Sequence, residues 1–170
     1  MRNFVLSVIG DDRPGLVSAL AEAIASRGGN WEQSQLTRLA GKFAGIVVVA
    51  VADRDADALI AAVTSLEGLL EVAVHEAADT VDAGDDWHTS TIGVLGNDRV
   101  GIIQEVSRVL GAAGVTIETM TAGTREAPMA GGLLSEAQLQ VQIPPTADLA
   151  AVRAQLEGLA AELLVDIDID

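Results

Sequence analysis

The sequence predicts an α+β chain of two ferredoxin-like βαββαβ units in tandem. Three observations lead there. A turn motif occurs twice, as Gly10-Asp11-Asp12-Arg13-Pro14-Gly15-Leu16 and Gly96-Asn97-Asp98-Arg99-Val100-Gly101-Ile102, 86 residues apart. Each copy follows an apolar run and precedes an amphipathic stretch ending in small residues. Behind both turns, strand-type and helix-type periodicities follow in the same order. The expected division is a first unit over residues 1–76, a linker over 77–87 and a second unit over 88–170.

In the first copy, residues 3–9 alternate as a strand does. The turn follows, with Pro14 expected at the first helical position. Leu16, Val17, Leu20 and Ile24 recur at helical spacing to about Arg27, and Gly28-Gly29 ends the helix. Two strands come next, over 30–39 and 43–52, joined at Ala40-Gly41-Lys42. The run Ile46–Val51 reads as a strand covered on both faces. A second helix is expected over 55–67, with Leu59, Ile60, Val63 and Leu66 on one face. Glu71–His75 closes the unit.

The second copy repeats the order: strand 89–95, helix 100–113, strands 116–123 and 133–143, helix 146–160, strand 163–169. Pro144-Pro145 marks the turn from strand to helix. Strict alternation in Leu139–Ile143 gives that strand one wet face. Leu66-Glu67-Gly68-Leu69 recurs as Leu156-Glu157-Gly158-Leu159, 90 residues on. The change from 86 to 90 implies an insertion of about four residues, placed at the polar, Pro-containing stretch 124–129. Residues 77–87 are acidic and small, without periodicity, as a linker is. A lone unit leaves one sheet face open. The aliphatic strands argue that the other copy or another chain covers it, so a homodimer is expected.

Composition excludes several function classes. Net charge is −15, and Lys42 is the sole lysine. The acid excess is spread over both halves: residues 1–85 carry 6 basic and 13 acidic groups, residues 86–170 carry 4 and 12. No basic stripe exists to displace counterions from phosphates, so direct nucleic-acid binding and anionic membranes are disfavoured. The acidity reads as a soluble cytosolic surface. With no cysteine there is no disulfide, thiolate nucleophile or Cys-ligated metal. The first apolar run is too short for a signal peptide, and no run approaches the roughly 20 residues of a membrane span. The expected location is the cytoplasm.

The turns carry the candidate site. Where a strand ends and a helix begins, the first helical amides lack internal partners. With the helix dipole they suit a carboxylate or phosphate. Gly15 and Gly101 remove a side chain from the approach. Asp12 and Asp98 can cap the helix or meet an ammonium group. Asn30 and Thr116, opening the next strand, are expected across the site, and Asn30 can both donate and accept. Arg13, Leu16 and Ile102 complete the candidate set. The plainer reading is a capped helix start; its recurrence at the same point of both repeats weighs against that, although duplication alone also preserves turns.

The succession of apolar strand, Gly-Asp-Asp-Arg-Pro-Gly-Leu, amphipathic helix and Gly-Gly-Asn-Trp-Glu-Gln-Ser resembles the ACT domain. Two ACT-type units with no enzyme attached resemble the glycine cleavage system transcriptional repressor family. The Asp-Arg-Pro-Gly turn also opens the regulatory domain of formyltetrahydrofolate deformylases and of some phosphoserine phosphatases. The resemblance implies small-molecule binding, often of amino acids, at interfaces between units. It also implies control of a partner protein rather than contact with DNA. On that pattern Asp12, Gly15, Leu16 and Asn30 would line the ligand site. The second copy departs from it, with Val100 for Pro14 and Thr116 for Asn30.

Other constellations are weaker. His75 and His88 flank the linker rather than the turns and read as solvated, not as metal ligands. Asp166, Asp168 and Asp170 alternate on one strand face, more as a wet edge than as a cation site. Trp31, next to Asn30, is expected near the interface. No P-loop, GxGxxG or Cys/His cluster is present, and no cofactor is implied. Asp12 and Asp98 lack a catalytic partner. The expectation is a non-enzymatic regulatory protein that binds an amino acid, with glycine or serine foremost. The alternative is an interaction module whose sheets only dimerise or dock a partner.

Overall fold

The computed structural model describes residues 1–78, 86–127 and 131–169. The chain divides into two compact units, residues 1–80 and 81–170. The first contains β1 (Arg2–Asp11), α1 (Leu16–Ala25), β2 (Asn30–Leu39), β3 (Lys42–Val51), α2 (Ala56–Thr64) and β4 (Glu71–Glu76). The second contains β5 (His88–Asn97), α3 (Ile102–Ala112), β6 (Thr116–Glu126), β7 (Leu133–Ile143), α4 (Leu149–Leu163) and β8 (Val165–Ile169). The sheet orders are β2-β3-β1-β4 and β6-β7-β5-β8, with every neighbouring pair antiparallel. Each unit is therefore βαββαβ, as the sequence predicts.

Period-two alternation decides which residues enter each core. Phe4, Leu6 and Val8 of β1 face Leu20 and Ile24 of α1 and Leu59 and Val63 of α2, all buried. In the second unit Ile92, Val94, Leu139 and Val141 pack with Val106, Leu110 and Leu156. The wet face expected of Leu139–Ile143 is present: Gln140 is exposed and Gln142 half-buried, while Leu139, Val141 and Ile143 are buried. Trp31 packs partly buried against the first core.

In Ile46–Val51, Val47 and Val49 are buried while Ile46 is 48% exposed on the side away from the helices, the face for which the sequence expects a covering copy or chain. Several expectations are corrected. Pro14 is not the first helical residue, because the helix starts at Leu16 with Gly15 as its N-cap. Helix α2 ends at Thr64, and residues 65–69 form a turn; α4 runs to Leu163. The Leu-Glu-Gly-Leu repeat therefore falls in a turn in the first unit and inside a helix in the second. Its copies are not structurally equivalent. Helix α4 starts at Leu149, later than expected, because Asp148 caps it by accepting from the Ala151 amide at 3.1 Å.

The β2–β3 connection is Ala40-Gly41, whereas the β6–β7 connection is six residues long, Ala127–Gly132. The second hairpin thus carries the longer connection, closed by the Ala127 amide on the Gly132 carbonyl at 3.0 Å. Residues 79–85 of the expected linker, 128–130 of the expected insertion, and Asp170 lie outside the described residues.

Candidate functional site

Both turns are built the same way. Gly15 has φ 90° and Gly101 φ 100°, a left-handed backbone that residues with a Cβ resist. Each ends the turn and starts the helix. The first intrahelical bonds are Ala19 to Gly15 and Glu105 to Gly101, each 2.9 Å. The amides of Leu16, Val17 and Ser18, and of Ile102, Ile103 and Gln104, precede them. No side chain caps α1 or α3 among the described residues, so Asp12 and Asp98 are not the caps the sequence suggested.

A cleft of about 510 Å³ lies beside the first turn, lined by Asp12, Arg13, Gly15 and the α1 residues 16–18 on one side. Leu36, Thr37 and Arg38 of β2 and Phe43 of β3 form the other side. Arg38, which lines the cleft and which the sequence reading missed, pairs with Asp12 at 3.3 Å. Lys42, also missed, pairs with Asp11 at 2.5 Å. Both basic residues arrive through the β2–β3 hairpin, which folds back to bond the Asp12 amide to the Gly41 carbonyl at 2.9 Å. The hydrogen bond and charge of Lys42 hold the Asp11 carboxyl below its ordinary range, and Asp11 in turn raises Lys42.

Asn30 and Thr116 are not across from the turns. Asn30 is level with Ala50 and Asn3, while the turn leaves β1 at Asp11. Eight residues of strand separate those levels, about 26 Å at the usual strand rise. Thr116 likewise lies level with Gln142 and Thr89, at the end of β5 far from Asn97. Antiparallel register is the reason: α1 carries the chain back to the start of β1 before β2 begins. Within one unit the structure brings together Asp12, Arg13, Gly15 and Leu16, with Asn30 at the opposite end of the sheet.

The second turn lacks the first one's charged surround. By strand register, Asn97, Thr124 and Leu134 stand where the first unit has Asp11, Arg38 and Lys42. Asp98 and Arg99 keep their charges there. Val100, in place of Pro14, is fully exposed. Of the other candidates, His75 and His88 are exposed on β4 and β5, and Asp166 and Asp168 are exposed on the edge strand β8. Among the described residues no three His, Asp or Glu groups gather as metal ligands.

Residues 2–75 and 84–161 each match the ACT domain. The chain belongs to the ACT domain family. Its two ACT units are arranged in tandem. A crystal structure of an unknown protein from Galdieria sulphuraria is 30% identical, with a TM-score of 0.88 over 99% of this chain and 97% of that one. A crystal structure provisionally described as a glycine cleavage system transcriptional repressor is 12% identical, with a TM-score of 0.75 over 99% and 96%. That second likeness shows the shared tandem ACT fold. No curated protein matches the sequence. No described helix is long and apolar enough to cross a membrane.

Proposed function

We propose that the chain is a non-enzymatic regulator that binds a small amino acid at the first ACT turn and acts on a partner protein. Amino-acid or one-carbon metabolism, or its transcriptional control, is the setting its relatives suggest. The observation that carries this reading is the cleft beside α1. Three amides without intrahelical partners and the Arg38 guanidinium suit a carboxylate, and Asp12 suits an ammonium group. The second turn has the same backbone but not Arg38 or Lys42, which favours the first as the binding site. The acidic surface argues against direct contact with nucleic acid or an anionic membrane, and it suits a cytoplasmic protein.

Isothermal titration of the full chain with each of the twenty amino acids, glycine and serine first, tests this. Heat from at least one ligand, weakened roughly tenfold by Asp12→Asn, is the expected result. Silence across all twenty would remove the sensing function.

A second reading rests on a separate observation. Ile9 and Ile46 are nearly half exposed on the outer face of the first sheet, an apolar surface suited to docking. On that reading the ACT units serve only to dimerise or to hold a partner, and Gly15→Trp would leave association intact.

A further inference from the structure

The two units share a tether behind the turn that ligand binding does not require. Arg13 Nη2 donates to the Gly68 carbonyl at 3.2 Å, and Arg99 Nη1 donates to the Leu163 carbonyl at 3.4 Å. The acceptors are equivalent by register: Ile9 pairs with Glu71 and Leu95 with Asp166, each three residues beyond the acceptor. Their local structures differ. Gly68 lies in the turn after α2 with φ 90°, while Leu163 is the last residue of α4. The same tether is therefore made through two different backbones, and simple copying of a local conformation does not account for it.

Packing reinforces the tether. A Cβ on Gly10 would stand 2.6 Å from the Leu69 carbonyl oxygen, and one on Gly96 would stand 2.4 Å from Val165 Cγ1. In both units the segment entering the last strand thus lies directly on the residue that opens the turn. Arg13 lines the cleft beside α1 and also a second cleft of about 130 Å³ formed with Gly10, Lys42 and residues 68–71. It forms a wall between the two. A guanidinium suits the role, being always charged and offering several donors to backbone carbonyls.

We propose that Arg13 and Arg99 are positioning residues, which couple each turn to the segment leading into the last strand and do not themselves hold ligand. In the first unit, occupancy of the α1 amides reaches residues 68–71 through Arg13, and so reaches β4 at the edge of the sheet. This direction of signalling rests on the ligand-binding reading; the tether itself does not.

Hydrogen exchange on the full chain tests it, with wild type, Arg13→Ala, Arg13→Lys and Arg99→Ala. Without ligand, Arg13→Ala should speed exchange about fivefold in residues 10–16 and 66–71, leaving β3 and the second unit unchanged. Arg99→Ala should do the same for residues 96–102 and 163–166 alone. Arg13→Lys, which keeps one donor and the charge, should restore part of the protection. With millimolar glycine or L-serine, wild type should respond at both the turn and residues 66–71, while Arg13→Ala should respond at the turn only. Acceleration throughout the unit would mean plain destabilisation and overturn the proposal. So would unchanged exchange at residues 66–71, or loss of the turn's own response to ligand in Arg13→Ala. If neither amino acid alters wild type, the ligand reading fails for these probes, and the ligand-free comparison alone decides the tether.

Discussion

Gly15→Ala isolates the backbone's share of the candidate site. Gly15 has φ 90° and ψ −2°, and a Cβ built there meets nothing within 4 Å. Any destabilisation must therefore come from the left-handed backbone and not from a clash. That conformation costs a residue with a Cβ about 1–2 kcal/mol. Alanine recovers roughly 0.4–1 kcal/mol by restricting the unfolded chain. The net is about 1 kcal/mol. With a urea m-value near 1 kcal/mol/M for so small a unit, the midpoint should fall by about 1 M. Trp31 packs against the first core, and the chain has no tyrosine and only one other tryptophan. Fluorescence in a Trp87→Phe background therefore follows the first unit alone, which avoids treating two units as one transition. Gly15→Asn should lose about half as much, because asparagine tolerates the left-handed region better. A midpoint unchanged in Gly15→Ala, or an asparagine as damaging as the alanine, would refute the backbone argument.

Gly10→Ala and Gly96→Ala pose the opposite case, in which the added methyl meets the Leu69 carbonyl or Val165, and each should destabilise its own unit by roughly 1–3 kcal/mol in the same urea assay. Asp11→Asn should lower thermal stability between pH 3.8 and 10.5, by an amount that shrinks with added salt because the pair is exposed. The sign follows from both partners. The lowered Asp11 value makes the pair's contribution complete above 3.8 and lost as pH falls through the folded value. The raised Lys42 value makes it complete below 10.5 and lost as pH rises through the folded value. Melting curves across pH check this, and a difference from wild type that persists unchanged at both extremes would contradict it. Val47→Ala should cost about 2 kcal/mol, while Ile46→Gln, one residue away on the open face, should stay within about 0.5 kcal/mol; equal effects in denaturant titrations would overturn the assignment of faces.

Much of the fold was legible because its signals are local. Strict alternation in Leu139–Ile143 marked that strand's wet face, and the strands expected over 30–39 and 133–143 have the ends the structure gives them. The turn motif was legible as a functional candidate because Gly15 and Gly101 recur at strand-to-helix junctions. What failed was inference over distance. Asn30 follows the first helix closely in sequence and was expected beside the turn, but it lies eight residues of strand away. Arg38 and Lys42 carried no motif, and only the return of the β2–β3 hairpin sets Arg38 at the cleft against Asp12 and Lys42 against Asp11. Leu66-Glu67-Gly68-Leu69 and its copy matched letter for letter yet occupy a turn and a helix, because residue identity does not fix where a helix ends.

The sequence by itself determined the duplicated βαββαβ order, the apolar spacing of its strands and helices, and the recurrence of a glycine at each strand-to-helix turn. Each of these depends on residues within about one helical or strand period of one another, where side-chain spacing and backbone sterics suffice. The tertiary structure alone decided which charges surround the first turn, that Asn30 stands at the far end of the sheet, and that Arg13 and Arg99 reach the carbonyls ahead of the last strands. Those placements depend on antiparallel register and on loop lengths between distant segments, which set side chains side by side without leaving a pattern in the order of residues.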